Sequence, residues 1–225
     1  MQHDGLRRQM VAACRSFAER GLSHGTSGNL SVRVPEGLLI TPSAVPYRLM
    51  EPQDIVLLRA DGTWQGPLKP SSEWRIHRDV LAARPEVGAV VHTHSTAATA
   101  LACHHRGIPA FHYMVAVAGG ADIRCAPYAT FGTAALSEAA LAALTDRMAC
   151  LLAHHGQVAL GPTLEAALAL AVEVEALALQ YLAACQLGPP PLLDGAEMAR
   201  VLAAFRDYRS SADTTAPSPS SQQRG

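Results

Sequence analysis

The chain is short of charge, short of aromatic residues and without paired cysteines. Charged residues are 16% of the 225 positions and aromatics 5%, and Lys+Arg (18) nearly balance Asp+Glu (19), for a formal net charge of −1. Neither nucleic acid nor an anionic membrane is indicated as a partner by such a balance. The five cysteines, Cys14, Cys103, Cys125, Cys150 and Cys185, are odd in number, widely spaced and form no C-x-x-C. That predicts free thiols in a reducing cytoplasm, not a disulfide framework. No run approaches the ~18 uninterrupted apolar residues of a membrane span. The apolar stretch between Arg8 and Arg15 is too short for a signal peptide. No Walker loop, G-x-G-x-x-G or Gly-x-Ser-x-Gly occurs, which removes the commonest nucleotide and serine-hydrolase readings.

Apolar residues make up 49% of the chain, alanine is abundant, and no linker interrupts the pattern before about Leu187. The expectation is one globular α/β domain with closely packed helices. Its informative stretch is Val87–Ser95, VGAVVHTHS. The apolar run reads as a buried strand, and alternation puts His92 and His94 on one side of its end. Two imidazoles so placed can share a metal ion, and catalytic zinc commonly takes three protein ligands with a position left open. A third can come from Ala153-His154-His155-Gly156, after a second apolar run. Alternation alone does not choose between His154 and His155.

The rest of the chain supplies surroundings. Residues 4–20 read as an amphipathic helix ending near Gly21. Gly25-Thr26-Ser27-Gly28-Asn29 is a glycine- and hydroxyl-bearing loop that is either an ordinary turn or a cradle for an anion. Short strands are predicted over Leu30–Val34, Leu38–Thr41 and Asp54–Arg59, so an antiparallel β region follows the first helix. Trp64 reads as a packing residue. A serine of Ser71-Ser72 suits the N-cap of a helix running to Ala83, with Glu73 in its first turn. On local grounds that explains Glu73 without catalysis, although the same helix start can hold an anion. His77, one turn on, reads as a packed or solvated helix residue. Further helices are expected over Ser95–Cys103, Ser137–Met148 and Thr163–Leu187, and strands over Ile123–Pro127 and Cys150–Ala153. Glu173 and Glu175 read as a solvated or interface face. Asp194 and Glu197 resemble a capping box opening a last helix to about Tyr208. A polar, low-complexity tail follows over 209–225. A two-strand histidine site, a carboxylate and an anion loop together suit Lewis-acid chemistry on a phosphorylated hydroxy-carbonyl compound, with an enediolate stabilised by the metal.

These stretches resemble the class II aldolase/adducin family. The likeness runs from about Asp4 to Tyr208, through Gly25–Arg33, Leu38–Ala44, Pro70–Trp74, Val90–Cys103, Ile108–Val115, Cys125–Thr133, His154–Gly161 and Leu164–Leu168. It implies a single α/β domain over 1–208, with a central, mainly antiparallel sheet between helical layers. It implies one Zn2+ per subunit on His92, His94 and His155, choosing His155 because the family's ligand directly precedes Gly. It makes Glu73 the acid/base and Tyr113, from a neighbouring subunit, the proton donor to an aldehyde oxygen. Gly28, Asn29, Ser43, Ala44, Ser71 and Ser72 would hold the phosphate. Phe131, Phe205 and Tyr208 would wall the aldehyde end. The implied assembly is a homotetramer with sites between subunits. The implied reaction is reversible cleavage of L-fuculose 1-phosphate, or a close ketose 1-phosphate, to dihydroxyacetone phosphate and L-lactaldehyde. Decarboxylases and dehydratases of phosphorylated sugar derivatives share the fold and are the rivals. A non-catalytic adducin-like domain would lack metal ligands that are present here. Two positions depart from the family pattern: Ala44 stands where Gly is usual, and His154 where Asn is usual.

Overall fold

The computed structural model of the chain describes residues 2–214. One eight-stranded sheet runs through it in the order β4-β3-β2-β1-β5-β8-β7-β6. Its strands are β1 (Asn29–Val34), β2 (Gly37–Ile40), β3 (Val56–Leu58), β4 (Trp64–Gln65), β5 (Ala89–Thr93), β6 (Arg124–Ala126), β7 (Ala149–Leu152) and β8 (Gly156–Gly161). Every pairing is antiparallel except β6 with β7. That parallel pair is joined through a helix, the crossover that parallel neighbours require.

Helices cover both faces. They are α1 (Asp4–Arg15), α2 (Trp74–Ala83), α3 (Thr96–Cys103), α4 (Ala134–Ala143), α5 (Leu164–Gln186) and α6 (Gly195–Thr214). Strand alternation divides the core. Leu30, Val32, Val34 and Val91 pack with α1 and α5. Leu38, Ile40, Val90 and Val158 pack with α2 and α4 through Ile76, Val80, Leu136 and Ala140. Helix α3, the far half of α5 and the start of α6 enclose a third apolar cluster around Leu101, Leu151 and Leu177. By length and composition α5 could cross a membrane. Here Leu164, Ala167, Ala171, Val174, Leu177 and Ala178 bury one side of it.

Several expectations are corrected. Helix α1 stops at Arg15, and residues 16–20 continue only as hydrogen-bonded turns. Strands β4 and β8 and a 3-10 turn over Tyr113–Ala118 were not foreseen. All six residues of β8 are buried, so its sequence carries no alternation. Trp64 lies on the edge strand and is 47% exposed. Glu175 is not a solvated group, since its carboxylate accepts the Ala97 and Ala98 N–H groups at 2.8 and 2.9 Å. Asp194 does cap α6, accepting from the Glu197 N–H at 2.8 Å. That helix runs past Tyr208 to Thr214, through the first part of the expected tail. Residues 215–225 of that tail lie outside the described residues.

Candidate metal centre

Three elements meet at one end of the sheet. On β5, His92 shares the orientation of Val90, toward α2. Strand β1 lies beside it with Asn29 paired to His92. The turn between β7 and β8 carries His154 and His155. His154 takes a left-handed backbone (φ 55°), and its ring turns away to His105, with the Nε2 atoms 2.8 Å apart. The His155 ring turns inward, its centroid 4.8 Å from those of both His92 and His94. The turn conformation therefore separates the two adjacent histidines.

Glu73 completes the group. It stands at the N-cap of α2, where a serine was expected. Its side chain caps nothing, while Ser71 Oγ accepts the Glu73 N–H at 3.3 Å. The carboxylate turns inward, with Oε2 3.2 Å from His92 Nε2 and Oε1 3.1 Å from His155 Nε2. His92 and His94 Nε2 are 3.0 Å apart. One donor atom from each of Glu73, His92, His94 and His155 lies within 4.8 Å of all the others. His92 Nδ1 is 2.8 Å from the Gln157 carbonyl. That carbonyl can only accept, so Nδ1 carries the proton and Nε2 presents its lone pair to the centre. Gln157 is held in turn by its amide, which donates to Ser95 Oγ and the Ala171 carbonyl.

The electrostatics suit a cation. Burial pushes the Glu73 carboxyl up, but His92 and His155 outweigh it and leave the group below the usual carboxylate range. Burial, with His92 and His155 beside it, lowers His94 to about 3. Burial works to lower His92 as well, yet Glu73 leaves it raised. Oε1 of Glu73 is buried with no hydrogen-bond partner, because His155 is close but outside hydrogen-bond geometry. Three imidazole nitrogens with a carboxylate beside them suit zinc or a similar divalent ion.

Above the cluster is a cavity of about 350 Å³. Gly28, Asn29, Ser43, Ala44, Ser71, Ser72 and Phe131 line it together with Glu73, His94 and His155. Backbone bonds from Ser43 N–H to Lys69 O and from Ser71 N–H to Thr41 O, both 3.0 Å, stitch two of its loops together. Gly28 (φ +84°) is packed so tightly that a Cβ there would lie 2.8 Å from the His92 carbonyl. Among the described residues, no lysine or arginine lines the cavity; hydroxyls and amides do. Tyr113, Phe205 and Tyr208 are not brought to this cavity within one chain. Phe205 and Tyr208 line an apolar groove with Met114 and Leu170, and the Tyr113 ring stacks on Phe205 with centroids 6.3 Å apart.

Sequence reasoning singled out neither Tyr128 nor Gln157, and it read His77 only as a packed or solvated helix residue. Tyr128 lines the cavity against His154. Gln157 acts through its main-chain carbonyl, which no side-chain pattern reveals. His77 had a signal, one helical turn from Glu73. Its ring is fully buried, with Nε2 2.5 Å from Asn29 Oδ1 and Nδ1 2.8 Å from Ser31 Oγ.

The model of the Class II Aldolase and Adducin N-terminal domain matches residues 8–182. The chain belongs to the class II aldolase and adducin family. It is 57% identical over 212 residues to a 5-methylthioribulose-1-phosphate/5-deoxyribulose-1-phosphate aldolase of Rhodospirillum rubrum, covering 94% of this chain and 96% of that one. It is 46% identical over 209 residues to the L-fuculose phosphate aldolase of Escherichia coli strain K12, covering 92% and 97%. A solved L-fuculose 1-phosphate aldolase superposes with a TM-score of 0.88 at 37% identity, over 92% of this chain and 98% of that structure. Class II aldolases are metal-dependent lyases, and the histidine–glutamate cluster is where this member of the family offers ligands.

Proposed function

We propose that this chain is a zinc-dependent aldolase that reversibly cleaves a ketose 1-phosphate to dihydroxyacetone phosphate and a small aldehyde. The observation that carries the reading is the convergence of His92, His94, His155 and Glu73 at the floor of a cavity rimmed by neutral donors. The three histidines would hold the ion, which when bound supplies Lewis acidity toward carbonyl and hydroxyl oxygens. Gly28, Asn29, Ser43, Ala44, Ser71 and Ser72 hold the phosphate without a competing cation, which leaves the ion as the main positive charge in the site. Glu73 moves the proton at the carbon of dihydroxyacetone phosphate that becomes the nucleophile. Tyr113 serves the oxygen of the aldehyde, taking its proton in cleavage and returning it in condensation.

Because Tyr113, Phe205 and Tyr208 stand together away from the cavity of their own chain, they would reach a site across a contact between copies. This supports sites shared between copies, in the homotetramer that the family likeness implies, where Phe131 meets Phe205 and Tyr208 at the aldehyde end. Five free thiols fit a cytoplasmic enzyme.

Among substrates, the higher identity to the Rhodospirillum relative favours 5-methylthioribulose and 5-deoxyribulose 1-phosphates over L-fuculose 1-phosphate. The aldehydes are then (methylthio)acetaldehyde and acetaldehyde in place of L-lactaldehyde. The test supplies zinc-loaded protein with each of the three ketose phosphates and measures dihydroxyacetone phosphate. The expected result is its release from the two pentulose derivatives, with Glu73→Gln retaining metal but losing on the order of 10²-fold or more in turnover. No dihydroxyacetone phosphate from any of them, or a decarboxylated or dehydrated product, overturns the reading.

A further inference from the structure

We propose that His77 is a positioning residue which, through Asn29, holds Glu73 so that Oε1 is the oxygen that moves the substrate proton. The inference rests on the aldolase reading for its chemistry, and on four side chains for its geometry. Asn29 Nδ2 donates to Glu73 Oε2 at 2.9 Å. A carboxylate beside a cation site can only accept, so the amide nitrogen must face Glu73 and Oδ1 must face His77. His77 Nε2, 2.5 Å from that oxygen, must then carry the ring proton. Nδ1 is left as the acceptor for the Ser31 hydroxyl at 2.8 Å. Each link fixes the direction of the next, from Ser31 to His77 to Asn29 to Glu73.

The rest of the environment agrees. Asn29 and Ser31 are two apart on β1 and so face α2 together. Ser31 and His77 are wholly buried and Asn29 is 4% exposed, so water does not compete for these bonds. Burial lowers His77 to about 3, with His92 adding to the effect, so the ring is neutral and has one proton to place. Aligned bonds of this kind polarise one another in a low-dielectric interior and strengthen the last donor. The result at Glu73 is asymmetric. Oε2 is tethered, and Oε1 has no hydrogen-bond partner. The second amide hydrogen of Asn29 stays available to a ligand in the cavity.

The test uses the full-length, metal-loaded protein in two arms. In the first, nitrogen NMR of labelled histidines reads the His77 tautomer, independently of turnover. A neutral ring protonated on Nε2 is expected; protonation on Nδ1, or a charged ring near pH 7, overturns the relay. In the second, His77→Phe removes the donor and His77→Gln restores one at the same place. His77→Phe should lower kcat about 10- to 100-fold, a share of the general-base contribution, with KM within about twofold and metal content unchanged. His77→Gln should recover most of the loss. In an Asn29→Ala background His77→Phe should cost almost nothing more, because the relay is already cut. Full losses that multiply in the two backgrounds, or wild-type kcat in His77→Phe, overturn the proposal. Should His77→Phe fail to fold, His77→Gln and the wild-type spectrum still decide. A wild-type protein that releases no dihydroxyacetone phosphate sinks the aldolase reading, while the NMR arm still judges the relay.

Discussion

Ala44 sits in the loop proposed to hold phosphate with φ +60°. In that region its Cβ crowds the backbone at a cost of about 1–2 kcal/mol, which glycine escapes. Glycine also gives some of this back through the greater entropy of the unfolded chain. Ala44→Gly should therefore raise stability by about 0.5–1 kcal/mol, or roughly 1–4 °C in melting temperature for a domain of this size. Calorimetry checks it, and an unchanged or lower midpoint would mean that the loop carries no strain. The adjacent histidines make a sharper contrast. His155→Asn should abolish stoichiometric metal, whereas His154→Asn, whose ring pairs with His105, should keep it; elemental analysis of the two purified variants separates them. Neighbours in sequence differ here because His154, in a left-handed backbone, pairs its ring with His105, while the His155 ring meets those of His92 and His94.

At the scale of elements, the metal ligands depend on where helices begin. Helix α3 starts directly after His94 and Ser95, and its first N–H groups point at Glu175 on α5. This cap across two helices satisfies donors that a helix start otherwise leaves open, and places negative charge at the favourable end of the dipole. Glu175→Ala should destabilise the fold by about 1–3 kcal/mol, the cost of stranding buried donors. Urea unfolding of the metal-free protein is the measurement, with Glu175→Gln expected between the two. Metal should also leave the alanine variant faster in competition with a chelator, because β5 and α3 share the segment that presents His94. Such a carboxylate looks solvated in sequence because its partner is backbone from another helix. Conversely, the polar pair Asn29 and Ser31 alternates with Leu30, Val32 and Val34 as an exposed strand face would. Helix α2 covers that face, and the pair is buried around His77 instead.

At the scale of the whole molecule, Tyr113 and the metal cluster belong to different parts of one chain. If sites are shared between copies, subunits carrying Glu73→Gln and subunits carrying Tyr113→Phe should each be nearly inactive alone. Mixed by unfolding and refolding together, they should regain activity, since some sites then combine an intact Glu73 with an intact Tyr113. No recovery in mixtures shown to contain both subunits would mean that the sites are not shared between copies, and full activity of Tyr113→Phe alone would place Tyr113 outside the reaction. Removing the metal is a second global test. A ligand that binds only the folded state stabilises it by mass action, so a chelator should lower the melting temperature of the wild type and leave that of His155→Asn unchanged.

The sequence by itself determined the parts that follow from local order. The His92–His94 pair came from the two-residue period of a strand, most helices came from apolar spacing, and the likeness from Gly25 to Leu168 carried the family. Tertiary structure decided what depends on layers and on turns: how the backbone brings His155, which the family likeness chose and strand alternation left open, to the cluster while His154 turns to His105, that Glu73 faces the imidazoles instead of capping its helix, and that His77 and Asn29 lie beneath it. The reason is that periodicity tells which residues share a face, while what covers that face is settled only when helices from distant parts of the chain pack upon the sheet.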